Sequence, residues 1–176
     1  MEYFVYGRDL PGAFDLKVRL REEHWSFMDE YADRLIARGP TMTPDESAST
    51  GSLHIVDLPD IAAARAFAYE EPYYLAGAFE TVLLHRFRNL AGRTMWEFTE
   101  AVEDYERFLV FSLDPTAPEP AASKHLIVYG DLLALDGETR IGHAVLLEAP
   151  SAESAATVFP ATANAEVHPW RFGGRN

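Results

Sequence analysis

The same punctuation occurs twice in this chain, 91 residues apart. Gly39 has a counterpart at Gly130 (130−39), Gly51 at Gly142 (142−51) and Pro59 at Pro150 (150−59). Leu35-Ile36 falls on Leu126-Ile127 at the same offset, and Ser151 stands where Asp60 does. Glycine and proline mark turns, close approaches and helix starts, so a spacing shared by all three pairs implies a shared supersecondary unit. Arg86-Phe87 then matches Arg171-Phe172 at an offset of 85 (171−86), as if six residues were missing from the second copy. A chain of 176 residues has room for two small fused units.

Each unit reads as strand, helix, strand or hairpin, helix, strand. Tyr3–Gly7 is short and aromatic, which suits a strand, and Pro11 and Gly12 mark a loop after it. Apolar spacing through Leu20, Met28, Tyr31 and Leu35, with Val18, Trp25 and Ala32 alongside, predicts one long amphipathic helix from about Leu16 to Arg38. Asp15 would cap it, and Gly39-Pro40 would stop it. Thr41–Thr50 begins with a short strand and becomes a turn-rich connection. Gly51–Leu58 is the next strand. An alanine-rich helix capped by Asp60 should end at Glu71, because Pro72 disfavours helical dihedrals there. Glu80–Phe87 closes the unit as a strand.

This is the βαββαβ order of the ferredoxin-like α+β class. Helices would cover one sheet face, and the apolar opposite face would pack on a second such sheet. Residues 1–90 form the first unit, 91–107 a partly helical connector and 108–176 a degenerate second unit opened by the Phe108–Leu113 strand. The copies differ in chemistry: Pro115 falls at the position of His24 (115−24 = 91), and DPTAPEPAAS replaces most of the first helix.

A net charge of −13 repels phosphate backbones and anionic lipid, so neither nucleic acid nor a membrane surface is an expected partner. No cysteine is present, which excludes disulfides, thiolate nucleophiles and zinc–cysteine sites. MEYFVYGRDL lacks the basic start and apolar run of a signal peptide, and no window reaches the ~20 apolar residues of a membrane helix, so a cytoplasmic location is expected.

His24 breaks the apolar stripe of the first helix and points inward with it. A titratable imidazole there is either a core histidine satisfied by a carbonyl or a catalytic base. Glu70 and Glu71, read at a helix C-terminus, are poorly placed for stability alone. His54 and His85 lie in strands of the sheet that the His24 helix would cover, and three histidines with a carboxylate could suggest a metal site, yet no HxH or HxxxH spacing supports one. Neither GxGxxG, P-loop, GxSxG nor HExxH is present, so no cofactor is expected.

Tyr6-Gly7 ending the first strand, His24 in the first helix, Gly39-Pro40, Gly51-Ser52-Leu53, Glu71-Pro72-Tyr73 and Ala76-Gly77-Ala78-Phe79 together resemble the YCII-related family. The resemblance covers about the first 90 residues well and the second half weakly. It implies a dimeric α+β barrel made here within one chain, with further homo-oligomerisation left open. It also implies a site of His24 with Glu71, where the family's turn carries aspartate. Such a pair suits proton abstraction, isomerisation or elimination on a small aromatic or lactone substrate, with Tyr6, Arg8, Trp25 and Tyr73 as candidate pocket walls. The alternatives are a non-catalytic small-molecule-binding or accessory protein and a cofactor-free monooxygenase-like enzyme.

Overall fold

The computed structural model describes residues 1–175. Strand β1 spans Glu2–Asp9, followed by helices α1 (Phe14–Arg19) and α2 (Arg21–Asp29). Strands β2 (Leu35–Met42) and β3 (Ser49–Asp57), helices α3 (Ile61–Tyr69) and α4 (Pro72–Leu75), and strand β4 (Phe79–Asn89) complete the first half. The second half holds β5 (Glu106–Ser112), β6 (Leu126–Leu133), β7 (Arg140–Ala149), α5 (Ala152–Ala156) and β8 (Glu166–Pro169). Among the described residues no helix is long and apolar enough to cross a membrane.

All eight strands join one antiparallel sheet in the order β2-β3-β1-β4-β6-β7-β5-β8. The first four and the last four repeat the same ferredoxin-like order, so the fold is α+β with the unit used twice. The two quartets meet where Arg86–Asn89 of β4 pair with Gly130–Leu133 of β6. At the far ends Thr41 bridges to Trp170. Arg171 N donates to Pro40 O at 3.1 Å, and Gly173 N donates to Arg38 O at 3.1 Å. The sheet is thereby closed on itself, and both free edges disappear.

Strand register shows how far the repeat extends. Phe4 faces Ile55 and His85, while Leu109 faces Leu146 and His168. The β3 and β7 residues are therefore related by 91 (146−55), as the glycines indicate, but β4 and β8 are related by 83 (168−85), not 85. The connection around α5 is two residues shorter than sequence matching suggests. Both seams obey the same numbers: Phe87 opposite Leu132 becomes Trp170 opposite Thr41 (170−87 = 83, 132−41 = 91). The paired glycines sit at these seams. A Cβ on Gly130 would lie 2.1 Å from Arg88 O, and one on Gly39 would lie 1.8 Å from Arg171 O.

Alternation along the strands builds three cores. Phe4, Tyr6, Leu53, Ile55, Phe111, Leu146 and Trp170 fill the barrel, with Met95 and Phe98 of the connector packed among them. Tyr3, Val5, Val56, Met28 and Phe67 pack beneath the helices of the first half. Phe108, Val110, Val145 and Phe159 do so in the second.

The long first helix is a correction. It ends at Asp29, and Leu35–Arg38 belong to β2. Leu35 joins the helix-side core while Ile36 and Ala37 enter the barrel, with a register shift between Leu35 and Ala37. Only an extended chain serves both cores at once. Gly39 is consequently a seam residue and not a helix stop. Asp15 lies inside α1 rather than capping it. The connector is helical only at the 3₁₀ turn Met95–Glu97, which Thr94 and Glu97 cap reciprocally.

Candidate active site

An open cleft of about 540 Å³ lies between α1–α2 and the sheet, walled on a third side by Arg171–Gly174. It opens on the helix-covered face of β3, outside the packed barrel. His24 and Met28, one turn apart, are the buried residues of α2. The imidazole borders the cleft.

The partner of His24 is held by a second helix start. Glu71 takes extended dihedrals (φ −72, ψ 147) ahead of Pro72 and caps α4, with Pro72 in its first turn. Its Oε1 accepts from Tyr74 N at 2.8 Å and its Oε2 from Tyr73 N at 3.1 Å. Oε2 also lies 2.9 Å from His24 Nδ1. Glu71 is thus at a helix N-terminus, where the dipole favours an anion, and not at the C-terminus that the sequence suggests. The reason is that Pro72 ends α3 and simultaneously starts α4. A carboxylate that already accepts two N–H groups can only accept from His24, so Nδ1 carries the proton and Nε2 keeps its lone pair. Tyr73 stacks on the His24 ring at 4.0 Å and 8°, which fixes the ring plane. Burial, then the Glu71 charge, holds the Tyr73 phenol well above its usual range.

Two further neighbours complete the site, and the sequence shows their residue types but not their contacts. Lys17, 6% exposed, reaches both Asp9 oxygens at 2.9 Å and the Ser49 and Ser52 hydroxyls at 3.1 Å. Burial pushes its pKa down, and the Asp9 charge partly restores it. Its position on α1 beside Asp9 of β1 depends on the packing of two elements. His54 of β3 lies 5.6 Å from His24 between ring centroids and edge-on to Phe67. The parity of β3 is the one signal for it: His54 faces Val5 of the helix-side core, whereas His85 faces Phe4 inside the barrel. The two strand histidines therefore occupy opposite faces.

Burial first, then His24 once it is protonated, then the charges of Arg38 and Lys17 push the His54 pKa well below 6.5. The unfolded chain takes up this proton near 6.5 and the folded chain does not, so stability is full above that pH and falls as pH drops through it. His54→Val, which copies Val145 at the matching position of β7 (145−54 = 91), is expected to flatten the loss of stability between about pH 7 and pH 5 by up to ~1.4 kcal/mol per unit. Thermal melts across that range measure it, and equal slopes for both proteins would contradict the assignment. His85, also lowered by burial, leaves a residual slope in the variant.

Among the proposed walls, Trp25 and Tyr73 line the cleft. Tyr6 and Arg8 do not. The Tyr6 hydroxyl is inside the barrel, 2.9 Å from Thr41 Oγ1, and Arg8 forms a two-point ion pair with Glu166 at 2.7 Å. Both have the parity of Phe4, which β1 turns away from the helices. In the second half His143 stands in the place of Ser52 (143−52 = 91), buried against Phe159, with Nε2 donating to Ala117 O at 3.1 Å. Residues that would be pocket floor are packed there.

A model of the YCII-related domain matches residues 1–88. An uncharacterised protein of Haemophilus influenzae is 27% identical over 97 residues, covering 51% of this chain and 99% of that protein. The protein YciI of Escherichia coli is 28% identical over 97 residues with the same coverage. The solved structure of a Burkholderia phenoliruptrix 5-chloro-2-hydroxyhydroquinone dehydrochlorinase, in complex with 2,5-dihydroxybenzoquinone, aligns at 21% identity with a TM-score of 0.49, covering 53% of this chain and 99% of that one. A "putative monooxygenase" from Lactobacillus acidophilus shares the fold over 97% of this chain and 92% of its own, at 7% identity and a TM-score of 0.50. Through its first half, residues 1–88, this chain belongs to the YCII-related domain family.

Proposed function

We propose that the protein is a small-molecule enzyme of the lyase or isomerase type, in which His24 transfers a proton and Glu71 orients it. The observation that carries this reading is the 2.9 Å His24–Glu71 contact beside an open cleft of about 540 Å³. A buried histidine serving only the core would have no such opening. His24 Nε2 removes a proton from a carbon acid, the C–H electron pair moves into the substrate π system, and Glu71 supports the imidazolium that forms. Return of that proton at another carbon is an isomerisation. Departure of a leaving group with its electron pair is an elimination. Trp25, Tyr73 and Phe172 give the cleft flat apolar walls, which suit an aromatic or lactone ring.

The test follows solvent deuterium entering a panel of cyclic enones, lactones and halogenated hydroquinones by NMR, with chloride release read in parallel. Exchange or elimination with the wild type that vanishes in His24→Ala supports the reading. Equal rates in both proteins would reject it and leave a binding protein that tolerates the histidine.

A further inference from the structure

We infer that the cleft is built for a small cyclic organic acid whose carboxylate is held by Arg21 and Arg38, an assignment that rests on the His24 site proposed above. The chain has 28 acidic and 15 basic residues, yet four basic residues and one acidic residue line the cleft. Lys17 is matched by Asp9 at 2.9 Å and Arg171 by Glu46 at 3.2 Å. Among the described residues no carboxylate lies within 4.0 Å of Arg21 or Arg38. Two guanidinium groups without a carboxylate partner, both lining one cleft of a strongly acidic protein, attract an anion.

Both groups are held in place. Arg21, in the first turn of α2, lies over the Trp25 ring at 5.7 Å. Arg38, in β2, donates from Nε to Gly173 O at 3.0 Å and lies over Trp96 at 5.6 Å. An arginine pinned by its Nε and an aromatic face keeps its terminal N–H pair for a planar oxyanion. The two arginines come from opposite walls of the cleft, one from the helices and one from the sheet. His54 is the cross-strand partner of Arg38, 7% exposed, borders the same cleft and has no hydrogen bond to the protein among the described residues. An imidazole that borders the cleft and donates to no protein group has its N–H to offer a bound molecule, and a carboxylate oxygen accepts it. Binding there would put the ring of the acid against the Trp25 and Tyr73 walls, within the cleft that His24 borders.

Matched pairs test this by calorimetric titration: benzoate with benzamide and salicylate with salicylamide, on wild type, Arg21→Gln, Arg38→Gln, Arg38→Lys and His24→Ala. The acids are expected to bind the wild type about tenfold or more tighter than the amides, with the gap closing as salt is raised. Arg38→Gln should remove most of the gap and Arg21→Gln part of it. Arg38→Lys should retain the salt-dependent part. His24→Ala should retain the gap in full. Equal affinity for acid and amide, absence of binding by either acid at millimolar concentration, or a gap that survives in an Arg21→Gln/Arg38→Gln double variant would overturn the proposal. So would loss of the gap in His24→Ala, which would assign the anion contact to the imidazole. Failure of the acid preference with His24-dependent exchange intact removes this inference alone. A preserved preference with exchange indifferent to His24 removes the proton-transfer reading alone.

Discussion

Replacing His24 by alanine is expected to lower proton exchange into a turned-over carbon acid by about 10²–10⁴-fold, the usual contribution of a positioned acid–base group. The fold should tolerate the change. Glu71 keeps its two backbone donors, Tyr73 N and Tyr74 N, so the α4 cap survives the loss of the imidazole. The space left behind borders the cleft and fills with water rather than remaining an apolar void. What is lost is one buried hydrogen bond and the stack on Tyr73, together about 1–2 kcal/mol. Glu71→Ala gives the contrasting result. It removes the tautomer-fixing contact and the cap in one step, so activity and stability fall together, the cap alone accounting for about 1–2 kcal/mol. Thermal melts alongside the exchange assay separate the two. If His24→Ala instead unfolds the protein at ordinary temperature, the histidine is a core residue.

The sequence is most informative where backbone geometry forces a residue type and least informative where a side chain's neighbours come from distant segments. Gly39 and Gly130 announce the duplicated unit because a closed sheet leaves no room for a Cβ at either seam. The cause of the spacing is not visible in one dimension: Gly39 before Pro40 reads equally well as a helix stop. Leu35–Ala37 shows the same difficulty, since a strand buried on both faces has no alternation to distinguish it from a helix end. Within the site, His24 is legible from its place in an apolar stripe, and Glu71 from its turn. The helix end to which Glu71 belongs is not, because Pro72 can end one helix or begin another. Tyr6 and Arg8 show that finding a strand does not reveal which face of it meets the helices. Lys17, His54 and Arg38 acquire meaning only once α1, β3 and β2 are folded around one cleft.

The largest stability effect is expected at the closing seam. Gly39 adopts φ +152, and a Cβ there would lie 1.8 Å from the carbonyl oxygen of Arg171 and 2.9 Å from Trp170 Nε1. Neither neighbour is a flexible tip that can step aside, since one is backbone and the other is a fully buried ring. Backbone strain and overpacking therefore add, and Gly39→Ala should destabilise the protein by roughly 3–5 kcal/mol, a large share of the ~5–15 kcal/mol that holds a domain folded. Gly130→Ala meets Arg88 O at 2.1 Å without a left-handed φ, so its cost is smaller, about 1–3 kcal/mol. The two variants should also differ in kind. The seam at Gly39 carries the chain past Trp170 into Arg171–Gly174, the third wall of the cleft, whereas the Gly130 seam borders no part of it. Denaturant unfolding and benzoate titration together check this: Gly39→Ala should lose both stability and affinity, and Gly130→Ala stability alone. An unfolding midpoint for Gly39→Ala equal to that of the wild type would show that the barrel is not closed between β2 and the chain after β8.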